Sequence, residues 1–221
     1  MTRDRRILDA WEQGQSLHPL HRALAMLAIC RPEESLGALA QWPIADRDRA
    51  LLELRAALFG GRFSAVATCP ACGEKLDVDF ALEAEPRRAG EDGEEPPLRL
   101  PDTQDLLAVL SLPPAARLGA LAERLAGRAL SFKEIERLDG RLAALDPMTE
   151  ISLGFECPAC GEGWRTAFDI AAYLWEELDD YALRLMRETD LLARTYGWSE
   201  AEILAVPPQR RQVYLDFALE G

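Results

Sequence analysis

The sequence predicts an α+β fold that is mainly α-helical and contains two small antiparallel β-hairpins separated by a helical insertion. The first observation behind this prediction is that the hexapeptide CPACGE occurs twice, at residues 69–74 and 157–162. Apolar residues alternate with other residues on both sides of each copy, less regularly around the second, and this period of two is typical of β-strands. Elsewhere the apolar residues recur mostly at the spacing of amphipathic helices. The 221 residues, 48% of them apolar, suffice for one domain with an inserted or appended subdomain.

The first segment, residues 1–61, is predicted to be helical. Pro19 and Pro32 each suit the first turn of a helix, and the helix that begins at Pro32 should be short. A third helix carries leucines at helical spacing and should end at the glycine pair 60–61. These helices lead into the first hairpin.

The two hairpins are predicted over residues 62–82 and 149–170. In each of them a CPACGE copy forms the tip, and the glycine after the second cysteine permits a tight turn. Both copies also carry a phenylalanine 11 positions after the first cysteine, namely Phe80 and Phe168. The repeat therefore predicts two hairpins with the same plan.

The insertion between the hairpins covers residues 83–148. Its first part, from Glu83 to Glu95, is acidic and rich in glycine and proline, which predicts an exposed and mobile loop. The stretch LRLP that follows favours a short strand. Three helices are predicted after it, the first of them capped by Asp102 or Thr103. The insertion should thus be a small helical subdomain rather than a linker.

The last segment, residues 171–221, begins with a long amphipathic helix that should end at Gly197. Ser199 and Glu202 fit a capping box for a short helix. The proline pair 207–208 then separates a final helix from it.

Four of the five cysteines lie in the two CPACGE copies. Thiolates at positions i and i+3 of a tight turn converge on one point, so each copy can supply two metal ligands. A structural Zn²⁺ site takes four ligands in a tetrahedron, and the two hairpins together complete such a set. The sequence therefore predicts a zinc ribbon with one structural Zn²⁺ per chain. Its predicted ligands are Cys69, Cys72, Cys157 and Cys160.

Three other interpretations of these cysteines stay open. A redox CxxC motif usually stands alone beside a βαβ pattern, which the sequence lacks. A catalytic zinc keeps an open coordination position and needs a general base nearby. Zinc deaminases supply the base through a His-x-Glu pattern, but the two histidines, His18 and His21, lie in HPLHRAL, where no such glutamate follows. His18 is instead predicted to be a helix cap or a surface residue. The four cysteines could also form two sites shared with another subunit.

The fifth cysteine, Cys30, ends an apolar run and is predicted to be core.

Charge and motifs argue against several classes of function. The net charge of −13 disfavours a nucleic-acid partner, because phosphate binding depends on Lys and Arg. No run of apolar residues is long enough to span a membrane and the start of the chain has no secretory signal, so membrane insertion is not expected and the predicted location is the cytoplasm. The sequence holds no Ser/His/Asp set, phosphate loop or dinucleotide fingerprint. We therefore expect neither enzymatic activity nor a small-molecule substrate.

The order of motifs along the chain resembles that of a known family. HPLHRAL and DRALLELRAALFG precede the first CPACGE, and LRLPDTQDLLA follows it. The second CPACGE runs into WRTAFDIAAYLW, and the chain closes with LLARTYGWSEAEILAVPPQRRQVYL, the most specific of these motifs. This order, from His18 to Leu215, resembles the zinc-ribbon baseplate proteins of contractile-tailed bacteriophages and related contractile injection systems. The long acidic loop departs from the pattern.

The resemblance implies a non-enzymatic structural component or assembly factor of a baseplate. Its partners would be other baseplate or hub proteins of a contractile tail, and it would be cytoplasmic or incorporated into a phage or injection-system particle. The resemblance brings no catalytic residues, and the four cysteines carry over from it. The alternative is a zinc-ribbon adaptor protein in transcription or nucleic-acid handling, which the acids beside the cysteines disfavour.

The C-terminal segment has the composition of a partner surface, independently of the resemblance. Aromatic residues and arginines are the side chains most often found as interface anchors. The residues predicted to contact a partner are Trp198, Arg210, Arg211, Tyr214 and Phe217. In the alternative interpretation, Tyr196 and Trp198 only pack the terminal helices onto the body.

Overall fold

The structure, a computed structural model, describes residues 2–85 and 99–220, so most of the predicted acidic loop lies outside the described residues. The chain divides into two compact units. Unit 1 is formed by Met1–Pro32 and Ala172–Gly221, and unit 2 by Glu33–Ala171. Within the described residues, no helix is both long and apolar enough to cross a membrane.

The described residues form a mixed α+β structure with two small antiparallel hairpins, as the sequence predicts. The helices and strands are, in chain order, α1 (Arg3–Gly14), α2 (Pro19–Cys30), α3 (Leu36–Leu39), α4 (Ile44–Phe59), β1 (Arg62–Thr68), β2 (Lys75–Ala81), α5 (Thr103–Val109), α6 (Pro114–Ala126), α7 (Phe132–Leu145), β3 (Ser152–Glu156), β4 (Gly163–Ala167), α8 (Ile170–Tyr196), α9 (Glu200–Ala205) and α10 (Pro208–Glu220). A 3₁₀ turn, Pro147–Thr149, precedes β3. All four strands lie inside the predicted hairpin segments.

Three helix ends in unit 1 are formed by residues whose chemistry suits the position. The hydroxyl of Thr2 accepts a hydrogen bond from the N–H of Arg5 at the start of α1. At the start of α2, Nδ1 of His18 accepts from the N–H of Leu20, which confirms that this histidine is a cap. Helix α8 ends at Gly197, whose φ of +72° lies in the left-handed region that favours glycine.

The capping box of α9 is confirmed, because the N–H of Ser199 donates to the Glu202 carboxylate at 2.8 Å.

Two apolar clusters form the core of unit 1. The first cluster comprises Leu8, Ala182, Leu185 and Leu204, with Trp11 and Tyr181 packed against it. The second comprises Leu192, Ile203 and Leu215, with Leu191, Ala193, Tyr196, Trp198 and Tyr214 packed against it. Helix α10 therefore belongs to the core of unit 1.

The first helix of unit 2 is shorter than predicted. The sequence predicts a helix from Pro32 onward, but α3 covers four residues. The hydroxyl of Ser35 accepts a hydrogen bond from the N–H of Ala38, so this serine rather than the proline defines the helix start. Helix α4 ends as predicted, at Gly60, which has a φ of +93°.

The predicted helical insertion is present as α5, α6 and α7. Asp102 is the N-cap of α5, as one of the two predicted alternatives has it, and forms a capping box with Asp105. Helices α6 and α7 share a small core. Its buried residues are Ala122, Leu125, Leu138 and Leu142.

The prediction of a strand at LRLP is wrong for the three of its residues that the structure describes. The chain there pairs through an isolated bridge between Pro43 and Asp102. The carbonyl of Pro101 also accepts a hydrogen bond from the N–H of Ile44 at 2.9 Å. Because each of the two segments contains a proline, which has no N–H to donate, the bridge does not extend into a ladder.

A buried ion pair fixes the chain just before the second hairpin. Asp146 follows α7 and is 0% exposed, and its carboxylate accepts a hydrogen bond from the N–H of Met148 at 3.0 Å. The same carboxylate forms an ion pair with Arg49 of α4. Since α4 runs into β1 and Asp146 leads into β3, this contact ties together the two segments from which the hairpins start.

Candidate metal centre

The first CPACGE copy forms the tip of the hairpin made by β1 and β2. The two strands pair antiparallel in one unbroken register. Beyond them the N–H of Cys69 donates to the carbonyl of Glu74 at 2.8 Å, and the N–H of Gly73 donates to the carbonyl of Cys69 at 3.0 Å. Gly73 has a φ of +78°, which accounts for the glycine at this position. We call this turn, residues 69–74, knuckle 1.

The second copy, residues 157–162, forms knuckle 2 at the tip of the β3–β4 hairpin with the same geometry. The N–H of Cys157 donates to the carbonyl of Glu162 at 2.8 Å, and the N–H of Gly161 donates to the carbonyl of Cys157 at 2.9 Å. The φ of Gly161 is +76°. The repeat in the sequence is therefore a repeat in structure.

The sulfurs of the two knuckles converge. All four cysteine Sγ atoms lie within 4.8 Å of one another. The Sγ atoms of Cys69 and Cys160 are 3.7 Å apart, and those of Cys72 and Cys157 are 3.6 Å apart. A tetrahedron with Zn–S bonds of about 2.3 Å has S···S edges of about 3.8 Å, whereas a disulfide bond is about 2.05 Å long. The spacing thus fits four thiolates around one ion.

The first cysteine of each knuckle is buried and the second is exposed. Cys69 and Cys157 are 2% and 1% exposed, whereas Cys72 and Cys160 face solvent. Burial alone would raise the pKa of Cys69, but the backbone N–H groups of Cys72 and Ala71 donate to its sulfur and lower that pKa to about 7. These hydrogen bonds favour the thiolate, which is the form that binds metal ions.

The pKa of the exposed Cys160 shows the effect of the neighbouring sulfurs. The backbone N–H of Glu162 donates to Cys160 and by itself would lower the pKa of that thiol. The sulfur of Cys72, burial, and the sulfurs of Cys157 and Cys69 outweigh it and raise the pKa of Cys160 to about 12. Four thiolates at this spacing repel one another, and a divalent cation between them removes the repulsion.

Three phenylalanines pack the two hairpins against each other away from the knuckles. Phe63 and Phe80 are opposite in the β1–β2 register, and their rings stack with centroids 5.1 Å apart. Phe168 meets both rings edge-on with centroid distances of 5.6 Å. The buried guanidinium of Arg55 lies 3.9 Å from the centroid of Phe63. The repeat pointed to Phe80 and Phe168, but nothing in the sequence singled out Arg55.

The donor set fits a closed tetrahedral site. Four thiolates fill the four coordination positions of a Zn²⁺ ion and leave none for water or a substrate. In the two described ranges, no other group of three or more His, Cys, Asp or Glu side chains could hold a metal ion. Cys30 lies apart, half-buried, with its Sγ 3.2 Å from the carbonyl of Leu27. The clustering of all four sulfurs in one chain favours a single metal site over two.

Of the five residues predicted to contact a partner, Arg211 does not lie on the surface. It is 3% exposed, and its guanidinium forms ion pairs with Asp4 at 2.8 Å and with Glu188 at 3.1 Å. The contact with Asp4 is an ion pair by distance, but its angle is too poor for a hydrogen bond. The hydroxyl of Tyr181 donates to the other oxygen of Asp4 at 2.7 Å. The sequence offered no signal for this network, because its members are distant along the chain.

Trp198 and Tyr214 pack within unit 1, together with Tyr196. The ring centroids of Trp198 lie 4.9 Å from those of both Tyr196 and Tyr214. This agrees with the interpretation that Tyr196 and Trp198 pack the terminal helices. Arg210 and Phe217 are exposed, and Phe217 is exposed to 58%. These two residues remain available to a partner.

Comparisons with protein-family models, with curated proteins and with solved structures find no match for this chain. The candidate metal centre and the order of motifs in the sequence are therefore the features that bear on its function.

Proposed function

We propose that the four cysteines of the two knuckles bind one structural Zn²⁺ ion, which joins the two hairpins as a zinc ribbon. The observation that supports this proposal is the convergence of four Sγ atoms within 4.8 Å, at the spacing of a tetrahedral thiolate site. When bound, the ion would supply cohesion rather than reactivity, because four protein ligands close its coordination shell. The chain's own contribution is to place the sulfurs and to donate backbone N–H groups to them.

We further propose that the protein is a structural component or assembly factor of the baseplate of a contractile phage tail or injection system, and that it is not an enzyme. Support comes from the order of motifs between His18 and Leu215, which resembles that of zinc-ribbon baseplate proteins. A closed metal site, which leaves no coordination position for a substrate, is compatible with a scaffold role. The net charge of −13 gives no support to the nucleic-acid adaptor.

The test is quantitative mass spectrometry of purified contractile particles from the source, combined with deletion of the gene. A fixed ratio of this chain to a known baseplate subunit would make it a structural component. Absence from particles, together with failed baseplate assembly in the deletion strain, would make it an assembly factor. If the chain is absent and particles form normally without it, the baseplate proposal is wrong and the adaptor becomes the leading hypothesis.

A matched pair of variants links this test to the metal site. Complementation of the deletion with Cys72→Ser should fail, because the zinc ribbon cannot close. Complementation with Cys30→Ser should succeed, because Cys30 lies outside the cluster. Equal complementation by both variants would mean that the zinc ribbon is dispensable for assembly.

A further inference from the structure

The last helix presents a narrow exposed stripe. Its members recur at positions i, i+3, i+7 and i+10, which places them on one side of a helix. We call them the α10 stripe: Arg210, Val213, Phe217 and Glu220. Val213 and Phe217 are 47% and 58% exposed, and Arg210 and Glu220 also face solvent.

The other side of α10 is already occupied. Arg211 and Leu215 are buried, the first in its ion pairs and the second in the apolar cluster of α8 and α9. Tyr214 packs on the neighbouring aromatic rings. The α10 stripe is therefore a surface that remains exposed after the other side of the helix has packed into the core of unit 1.

The order of the four residues along the stripe is self-complementary. A cation lies at its first position, two apolar side chains follow, and an anion lies at its last position. If a second copy of α10 runs antiparallel, Arg210 of one copy meets Glu220 of the other, and Val213 meets Phe217. Both pairs are centred on the same point of the helix, position 215, so one rotation by 180° satisfies all four contacts. This is the property of an isologous dimer interface.

We propose that the α10 stripe is the contact through which two copies of this chain form an antiparallel dimer. Charge complementarity selects this occupant, because neither Arg210 nor Glu220 has an ion-pair partner within the part of the chain that the structure describes. The spacing i, i+3, i+7 is that of a helix pair packed along an a/d seam. The proposal is independent of the baseplate function and of the metal.

One helix of 13 residues buries little area, so the dimer is weak and depends on concentration. Each stripe residue enters the symmetric interface twice, and every substitution in it therefore acts twice. These two properties define the experiment. It uses sedimentation equilibrium of the full zinc-loaded chain under reducing conditions, over about 5 to 500 µM.

Charge reversal provides the decisive comparison. The variants Arg210→Glu and Glu220→Arg should each weaken dimerisation at least about tenfold, because like charges then face each other at both ends. The double variant should recover association, because the pair is restored with its signs exchanged. Recovery separates a direct contact from a change in folding, which a second substitution would not repair.

An apolar pair of variants completes the test. Phe217→Ala should weaken dimerisation, whereas Leu219→Ala should not, although Leu219 is 73% exposed on another side of the same helix. A chain that stays monomeric over the whole range would overturn the proposal, and the stripe would then face a different protein or solvent. Dimerisation that ignores Phe217→Ala, or a double charge reversal no better than the single ones, would also overturn it.

Discussion

The rings of Phe80 and Phe168 lie 5.6 Å apart, centroid to centroid, and meet at an angle of 87°. The two residues hold the same place in the sequence repeat, 11 positions after the first cysteine of their knuckle. The hairpins thus approach each other in two places: the cysteine sulfurs converge at the tips, and the aromatic rings pack together farther along. Each hairpin alone supplies only part of each contact, two of the four sulfurs and one side of the aromatic packing.

The aromatic contact should contribute measurably to stability. Phe168→Ala removes a half-buried ring that touches both Phe63 and Phe80, and we expect the free energy of unfolding to fall by about 2–3 kcal/mol. Urea denaturation of the zinc-loaded protein measures this change. Phe132→Ala is the control in the same unit, because Phe132 is 74% exposed and its loss should change stability by less than about 0.5 kcal/mol. Equal effects would mean that the ring contact does not join the hairpins.

Removal of one ligand should remove the metal. Cys72→Ser leaves three thiolates, so the zinc content measured by elemental analysis should fall from one ion per chain to a small fraction at neutral pH. Thermal unfolding should become less cooperative, because ligand binding and folding are coupled in small zinc modules. Cys30→Ser should keep both the zinc content and the melting behaviour. Full zinc content in the Cys72 variant would show that this sulfur is not a ligand.

Asp105 should make the stability of the folded protein sensitive to acid. The carboxylate is 1% exposed and accepts hydrogen bonds from Arg99 at 2.7 and 2.9 Å and from Arg124 at 2.6 Å. Burial would raise the pKa of Asp105, but these hydrogen bonds outweigh it and lower that pKa from 3.8 to about 2. A lowered pKa stabilises the folded state above the unfolded value, and the contribution of about 2 kcal/mol is lost as pH falls from about 4 to 2.

The measurement is a comparison of the wild type with Asp105→Asn at several pH values. The wild type should be the more stable protein above pH 4, and the difference in stability should shrink toward pH 2, because the Asp105 carboxylate becomes protonated over that range. Acid also releases zinc from thiolates in both proteins, so only the difference between them is informative. A difference that does not change with pH would contradict the assignment.

The network of Arg211 should be costly to break. Arg211→Ala leaves the buried carboxylate of Asp4 without its cation, which we expect to destabilise unit 1 by about 3–5 kcal/mol. Chemical denaturation monitored by helical circular dichroism reports this loss. Arg194→Ala is the control, because Arg194 is 78% exposed and its ion pair with Asp190 lies on the surface of α8. A small effect in the Arg211 variant would mean that water replaces the ion pair.

The same network decides how partner binding by the C-terminus should be tested. Deletion of residues 208–221 would remove Leu215 and Arg211 from the core of unit 1, so the fold itself would be affected. Substitutions of exposed residues such as Phe217 are therefore the sharper test of partner binding. Tyr181 reports the network spectroscopically, because burial and its hydrogen bond to Asp4 raise the pKa of Tyr181 to about 12.

Local patterns in the sequence predicted the parts of the structure that are themselves local. The knuckles, the cap at His18, the capping box at Ser199 and the end of α8 at Gly197 each depend on residues a few positions apart. Contacts between distant segments were not predictable in this way. The burial of Arg211, for example, depends on Asp4 near the other end of the chain.

The candidate site was more predictable than the packing around it. Four cysteines in two identical turns indicate a candidate metal site through their spacing alone, because a tetrahedral ion takes two ligands from each of two such turns. The predicted length of α3 was wrong, because the helix begins after its N-cap Ser35 and not at Pro32. The predicted strand at LRLP is absent from its described residues, because prolines beside the Pro43–Asp102 bridge cannot donate the hydrogen bonds of a ladder.

Native mass spectrometry of the purified chain at neutral pH, with a count of bound metal ions, is the sharpest test of the single zinc ribbon. We expect one zinc ion per chain in the wild type, and loss of that ion when any one of the four clustered cysteines is replaced. Two ions per chain, or none after incubation with excess zinc, would contradict the single zinc ribbon.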